Sequence, residues 1–152
     1  MSNDQPTFQI EKIYVKDLSL EIPNAPQVFM QSEQPQLEVQ IDSGSEQFAD
    51  GAFEVTVSVT VTARVGERTV FLAEAVQAGI FAIRGVPEAE LEPLLAIGCP
   101  TIIYPYARET LSDLVTRGGF PPVLLAPVSF EALYAQRVRQ QAGPDSRIEI
   151  SS

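Results

Sequence analysis

Residues 53–65 read FEVTVSVTVTARV. Phe53, Val55, Val57, Val59, Val61, Ala63 and Val65 hold the odd positions, and Glu54, Thr56, Ser58, Thr60, Thr62 and Arg64 hold the even ones. Successive side chains of a strand point to opposite faces, so this pattern predicts a long antiparallel-type strand with one apolar and one wet face. The neighbouring segments extend the prediction to a sheet. Gly66-Glu67-Arg68 is a short turn, and TVFLAEAVQAGIFAI beyond it is a second strand, so the two form a hairpin. Upstream, Leu37, Val39 and Ile41 alternate with Gln36, Glu38, Gln40 and Asp42 as a shorter strand, and SGSEQFAD reads as the linker between it and the long one.

The first strand changes phase twice. Phe8 and Ile10 are even, Ile13 and Val15 odd, and Leu18, Leu20 and Ile22 even again, a pattern that predicts a bulge or break. Within YVKDLSLEIPNAP, residues 14–26, alternation puts Asp17, Ser19 and Glu21 on the face opposite Leu18, Leu20 and Ile22, and Pro23 and Pro26 end the strand. Four antiparallel strands thus precede anything helical.

The second half has a different period. A short helix starts at Pro87, with Glu88, Glu90 and Glu92 near its positive end, and Pro93 shortens or bends it. A second helix places Ile103, Tyr106 or Ala107, Thr110 or Leu111, and Leu114 at helical spacing and ends at Gly118-Gly119. Pro105 lies early in it or kinks it. FPPVLLAPV is an extended connection, and Ser129 caps a last helix with a Phe130, Leu133, Tyr134 and Val138 stripe, stopped by Gly143-Pro144. Strands followed by helices predict an α+β fold, a four-stranded antiparallel sheet with two main helices on one side. Residues 7–143 form the single domain in this reading, with 1–6 and 144–152 as flexible termini.

The fourth strand is apolar on both faces. Val70, Leu72, Val76, Ala78 and Ile80 share one with Glu74, while Phe71, Ala73, Ala75, Gln77, Gly79, Phe81 and Ile83 form the other. One face is core, and the small residues of the other predict close approach of a second sheet, that is, sheet-mediated oligomerisation. Cover by the chain's own proline-rich segment is the alternative.

Composition narrows the function. Ten basic residues against twenty acidic ones give a net charge of −10 over 152 residues, a field that repels phosphate backbones and anionic membrane surfaces but attracts a basic partner. No apolar run approaches the ~20 residues of a membrane span, and MSNDQPTFQIEK does not read as a secretory signal. The single Cys99 leaves no internal disulfide framework and fits a reducing cytoplasm. With no histidine, the commonest general base and metal ligand are missing, so neither a catalytic dyad nor a metal centre is expected. Cys99, before Pro100 in apolar surroundings, reads as a buried small side chain. Asp17 and Glu21 stand about 13 Å apart along an extended strand, too far to share a proton or one metal. An enzyme is disfavoured, no cofactor is implied, and binding remains, to something basic or something apolar.

Several stretches together resemble one family. TFQIEKIYVKDLSLEIPNAP, FEVTVSVTVTA, GERTVFLAEAVQAGIFAI, IIYPYARETLSDLVTRGGFPPVLLAPVSFEALY and the QQAG ending are similar, in this order, to SecB, the bacterial protein-export chaperone. The resemblance spans residues 7 to 143, and the run of prolines between two helices is its most specific part. It implies a homotetramer, a dimer of dimers, that holds unfolded precursor polypeptides in the cytoplasm without ATP and passes them to the SecA translocation ATPase. It also implies that the basic, zinc-bearing C-terminal domain of SecA docks at Asp17, Glu21, Leu72 and Glu74, the zinc belonging to the partner. The family's subunit-interface positions match Ala73, Ala75 and Gln77. Its apolar client groove, with the last helix as lid, is carried to Val39 and Ile41, and the helical stripe adds Phe130, Leu133 and Tyr134. The chain departs from members that carry a tryptophan near position 33, since it has none. Two other readings remain open: a SecB-like chaperone dedicated to a toxin-antitoxin client, and a small-molecule-binding α+β domain with a deep enclosed pocket.

Overall fold

A computed structural model describes residues 5–141. Four antiparallel strands, β1 (Thr7–Glu21), β2 (Gln36–Ala49), β3 (Ala52–Val65) and β4 (Arg68–Arg84), form one sheet in the order β1-β4-β3-β2. Helices α1 (Glu88–Pro93), α2 (Cys99–Arg117) and α3 (Phe130–Gln141) follow. The α+β class, the four strands and the two main helices agree with the sequence reading. The proposed helix stop at Gly143-Pro144 and the flexible tail lie outside the described residues.

The long alternation becomes β3, whose Val55, Val57, Val59 and Val61 are fully buried while the even residues stay half-exposed. Beneath them lie Ile103, Ala107, Leu111 and Val115 of α2, the i, i+4 ridge that faces the sheet, all fully buried. The rhythm faults of β1 are irregularities in its pairing with β4, one between Ile10 and Lys12 and one between Val15 and Asp17. Each inserts an extra residue, which returns the apolar set to the helix side of the sheet.

Three expectations change. SGSEQFAD is not a linker: β2 continues to Ala49 and pairs with β3 as far as Ala52. The long strand offers hydrogen-bond partners along its whole edge, and these override the weak strand preference of serine and glycine. Asp50-Gly51 makes the turn, with Gly51 at φ +69°, a conformation open to a residue without Cβ. Secondly, α1 is short and ends at Pro93, as that proline suggests, but helical winding does not stop there. The chain winds on through a π-helical turn, Leu94–Gly98, in which the Cys99 N–H donates to the Leu94 carbonyl, directly into α2. Cys99 therefore sits within a continuous helical run.

The third change concerns β4. The face bearing Ala73, Ala75 and Gln77 is covered by α2 of the same chain, neither by a second sheet nor principally by the proline-rich segment. Ala73 and Ala75 are fully buried, and Gln77 is satisfied by the Thr110 hydroxyl, which donates to its Oε1 at 2.8 Å. Small residues here admit a helix: a Cβ on Gly79 would come within 3.3 Å of Ile103 Cδ1 and 3.0 Å of the Phe81 ring. Within one chain Ala73, Ala75 and Gln77 are therefore core positions packed against α2. Uncovered apolar residues of that face stand one strand over, on edge strand β1, where Phe8, Ile10, Val15 and Leu18 are exposed.

Candidate functional site

Besides the exposed β1 row, two surfaces are open, one on each face of the sheet. Register settles the membership of the first. Side chains directly opposite in an antiparallel pair share a face, and Glu21 stands opposite Leu72, Ser19 opposite Glu74 and Asp17 opposite Val76. The tertiary structure thus brings Asp17, Glu21, Leu72 and Glu74 together on the side that no helix covers. Beyond β4 the same rows continue through Thr62, Thr60 and Ser58 of β3 to Glu38, Gln40 and Asp42 of β2.

Most of the charge on this face is negative. Thr60 Oγ1 lies 3.3 Å from Glu74 Oε2 and donates to it, so one of these acids is held from β3. Glu38 lies 3.8 Å from Arg64, both well exposed. Glu54 accepts from Lys16 Nζ at 2.7 Å through Oε1 and from the Tyr14 hydroxyl through Oε2. These two donors hold the Glu54 carboxyl below its usual range, and the hydrogen bond to Glu54 raises the Tyr14 hydroxyl to about 12. Among the described residues, Asp17, Glu21 and Glu74 take part in no ion pair. A face of free carboxylates around Leu72 suits a partner that is basic with an apolar contact point.

The second surface lies on the helix side along β2. Helix α2 covers β3 and β4 but stops short of this edge, so Leu37 and Val39 are exposed and Ile41 half-buried. At one end, Phe29, Leu37, Phe71, Phe120 and Val123 line an apolar cavity of about 420 Å³. The Phe120 ring stacks on Phe29 at 5.2 Å and packs tilted against Phe71 at 4.8 Å. At the other end, Ile41 and Leu133 line one hollow, and Ser43, Leu91, Leu95 and Tyr134 an adjoining one. Leu37 and Ile41 lie four residues apart on one strand face, about 13 Å at the rise of a strand, so the apolar cavity and the far hollows, which also take in Glu88, Glu92, Arg137 and Gln140, are spaced along one edge as an interrupted groove.

Ile41, Leu133 and Tyr134 thus line hollows of this edge and Val39 is exposed between Leu37 and Ile41, whereas Phe130 does not reach it. It is buried, edge-on to the Tyr104 ring at 5.9 Å, and fixes the base of α3 in the core. Ser129 caps that helix as its sequence suggests, accepting from the Ala132 N–H. Sequence reasoning missed Phe29, Phe71 and Phe120. They come from the segment after β1, from β4 and from the proline-rich connection, and no local period links them. A usable signal was present in the aromatic residue set just before the proline pair Pro121-Pro122.

Cys99 is fully buried, and desolvation pushes its thiol up to about 12. No group of His, Cys, Asp and Glu among the described residues could hold a metal ion, and no helix described is long and apolar enough to cross a membrane.

Comparison with known proteins shows the family. The family model described as SecB, preprotein translocase subunit, matches residues 1–141. The protein-export protein SecB of Dechloromonas aromatica is 55% identical over 97% of this chain and 97% of its own length. That of Chromobacterium violaceum is 60% identical over 91% of this chain and 92% of its own length. The fold is similar to that of a solved SecB-like chaperone of Mycobacterium tuberculosis in complex with an antitoxin peptide, with a TM-score of 0.66 at 23% identity over 80% of this chain and 90% of that one.

Proposed function

The chain belongs to the SecB family of protein-export chaperones, and from that premise we propose that it works as an ATP-independent holdase with two partners on opposite faces of one sheet. Unfolded precursor polypeptides lie in the groove along β2. Recognition there comes from apolar burial at roughly 25 cal/mol per Å² and from main-chain contacts, and so is indifferent to sequence. On the open face, Asp17, Glu21, Leu72 and Glu74 receive the basic, zinc-bearing C-terminal domain of SecA. The observation that carries the reading is the placement of the apolar groove and the free carboxylates on opposite sides of the sheet, which lets motor and client be held together.

Self-association into a tetramer is part of the proposal. The exposed apolar row Phe8, Ile10, Val15 and Leu18 along edge strand β1 supports it, since such a row on an edge favours a second copy. Several grooves in one assembly would bind one long client more tightly than any single groove does. The place of work is the cytoplasm, where precursors await export.

The test is a titration of an unfolded precursor and of the zinc-loaded SecA C-terminal peptide against the same sample. Each should bind without nucleotide, and saturation by one should leave the affinity for the other nearly unchanged. Direct competition between them would overturn the two-face arrangement, and a strict ATP requirement would overturn the holdase mechanism.

A further inference from the structure

The acidic face contains a cation next to one of its docking carboxylates. Lys16 adjoins Asp17 in the chain, and the irregularity in β1 between Val15 and Asp17 turns it onto the same open face. Its ammonium is nevertheless tied to a residue elsewhere. Nζ donates to Glu54 on β3, on the far side of β4, at 2.7 Å. Glu54 is well placed to keep it there. Its side chain is only 15% exposed, against 49% for Lys16, and its second oxygen accepts from the Tyr14 hydroxyl.

Resting on the reading that this face docks a basic partner, we propose that Glu54, held by Tyr14, is a positioning residue of the docking surface. It keeps the Lys16 ammonium away from Asp17 and Glu74, so that both meet the incoming cations without an internal competitor. A lysine stem is long and flexible, and exposed charges interact appreciably only within about 8–10 Å at ordinary ionic strength. Where the ammonium is tethered therefore matters more than its presence in the net charge. Glu54 itself need not touch the partner, because its oxygens are occupied from within the chain.

The experiment measures the affinity of the zinc-loaded SecA C-terminal peptide, at low and high ionic strength, for the full chain and four variants: E74Q, E54Q, E46Q and the double variant K16Q/E54Q. Glu46 stands opposite Glu54 in the β2–β3 register and carries the same charge; it attracts the Lys16 ammonium through space but accepts no hydrogen bond from it, so it lacks the tether. E54Q should weaken binding about two- to fivefold at low salt, the size of an exposed pair. The double variant should return to within about a factor of two of the parent, and E46Q should change little. If E46Q weakens binding as much as E54Q, only total charge matters and the positioning role is overturned. Failure of the double variant to recover, with an unchanged melting temperature, overturns it as well. Should the parent bind the peptide without salt dependence and E74Q make no difference, the docking reading of the face falls and this role falls with it. E74Q weakening the complex while E54Q leaves it intact overturns the positioning role alone.

Discussion

Replacing Phe120 by alanine should separate the client groove from the docking face. The ring lies between Phe29 at 5.2 Å and Phe71 at 4.8 Å and forms one wall of the apolar cavity. Each aromatic pair is worth about 0.5–1.5 kcal/mol beyond its area. Full burial of a Phe truncated to Ala costs about 3–5 kcal/mol, and this ring is only half-buried, so a loss of about 2 kcal/mol is expected. For a chain of this length that lowers the melting temperature by roughly 4–8 °C, which leaves the fold intact. A client side chain seated in the cavity loses about 1 kcal/mol for each ~40 Å² of ring surface removed, close to a fivefold drop in affinity. The SecA peptide, on the other side of the sheet, should bind as before. Calorimetric melting together with titration of an unfolded precursor and of the peptide reads all three quantities. A melting temperature that falls while client affinity stays constant would show that the aromatic cluster is structural packing and that clients bind elsewhere.

Charge reversal at Glu74 should weaken the SecA peptide by about five- to thirtyfold at low salt, since a modest attraction becomes a repulsion of similar size. Suppression of precursor aggregation should persist, and equal loss of both would mark Glu74 as structural. Leu18→Asp places a charge in the exposed apolar row of β1 and should reduce the mass seen by light scattering; an unchanged mass would put the subunit contact elsewhere. Cys99, its thiol raised to about 12 by burial, supplies almost no thiolate at pH 8 and should resist alkylation until denaturant is added. Native labelling at the rate of a free cysteine would contradict its placement. Glu54 is held below its usual pKa in the folded state, so its contribution to stability is complete above the unfolded carboxylate pKa and disappears as pH falls through the folded value. E54Q should flatten the acid limb of the pH–stability curve, and an unaltered limb would refute the pairing.

Local rhythm carried a great deal of this protein. The odd valines of residues 53–65, the two phase changes of β1, the Ser129 cap and the separation of Asp17 and Glu21 from Leu18 and Leu20 all follow from where successive side chains point along a strand or helix. That geometry is a property of the backbone, so it is present in the sequence before any packing. What covers each face is a long-range matter. The face of Ala73, Ala75 and Gln77 is open to a helix or a second sheet on composition alone, and only the return of α2 across β3 and β4 chose the helix. The same return left the β1 row and the β2 edge bare. Strand order, β1 beside β4, put Glu21 opposite Leu72 and Ser19 opposite Glu74, a juxtaposition of residues some fifty positions apart that no period encodes. Phe29, Phe71 and Phe120 meet for the same reason: burial rewards whatever apolar surface the fold brings together, irrespective of its spacing in the chain.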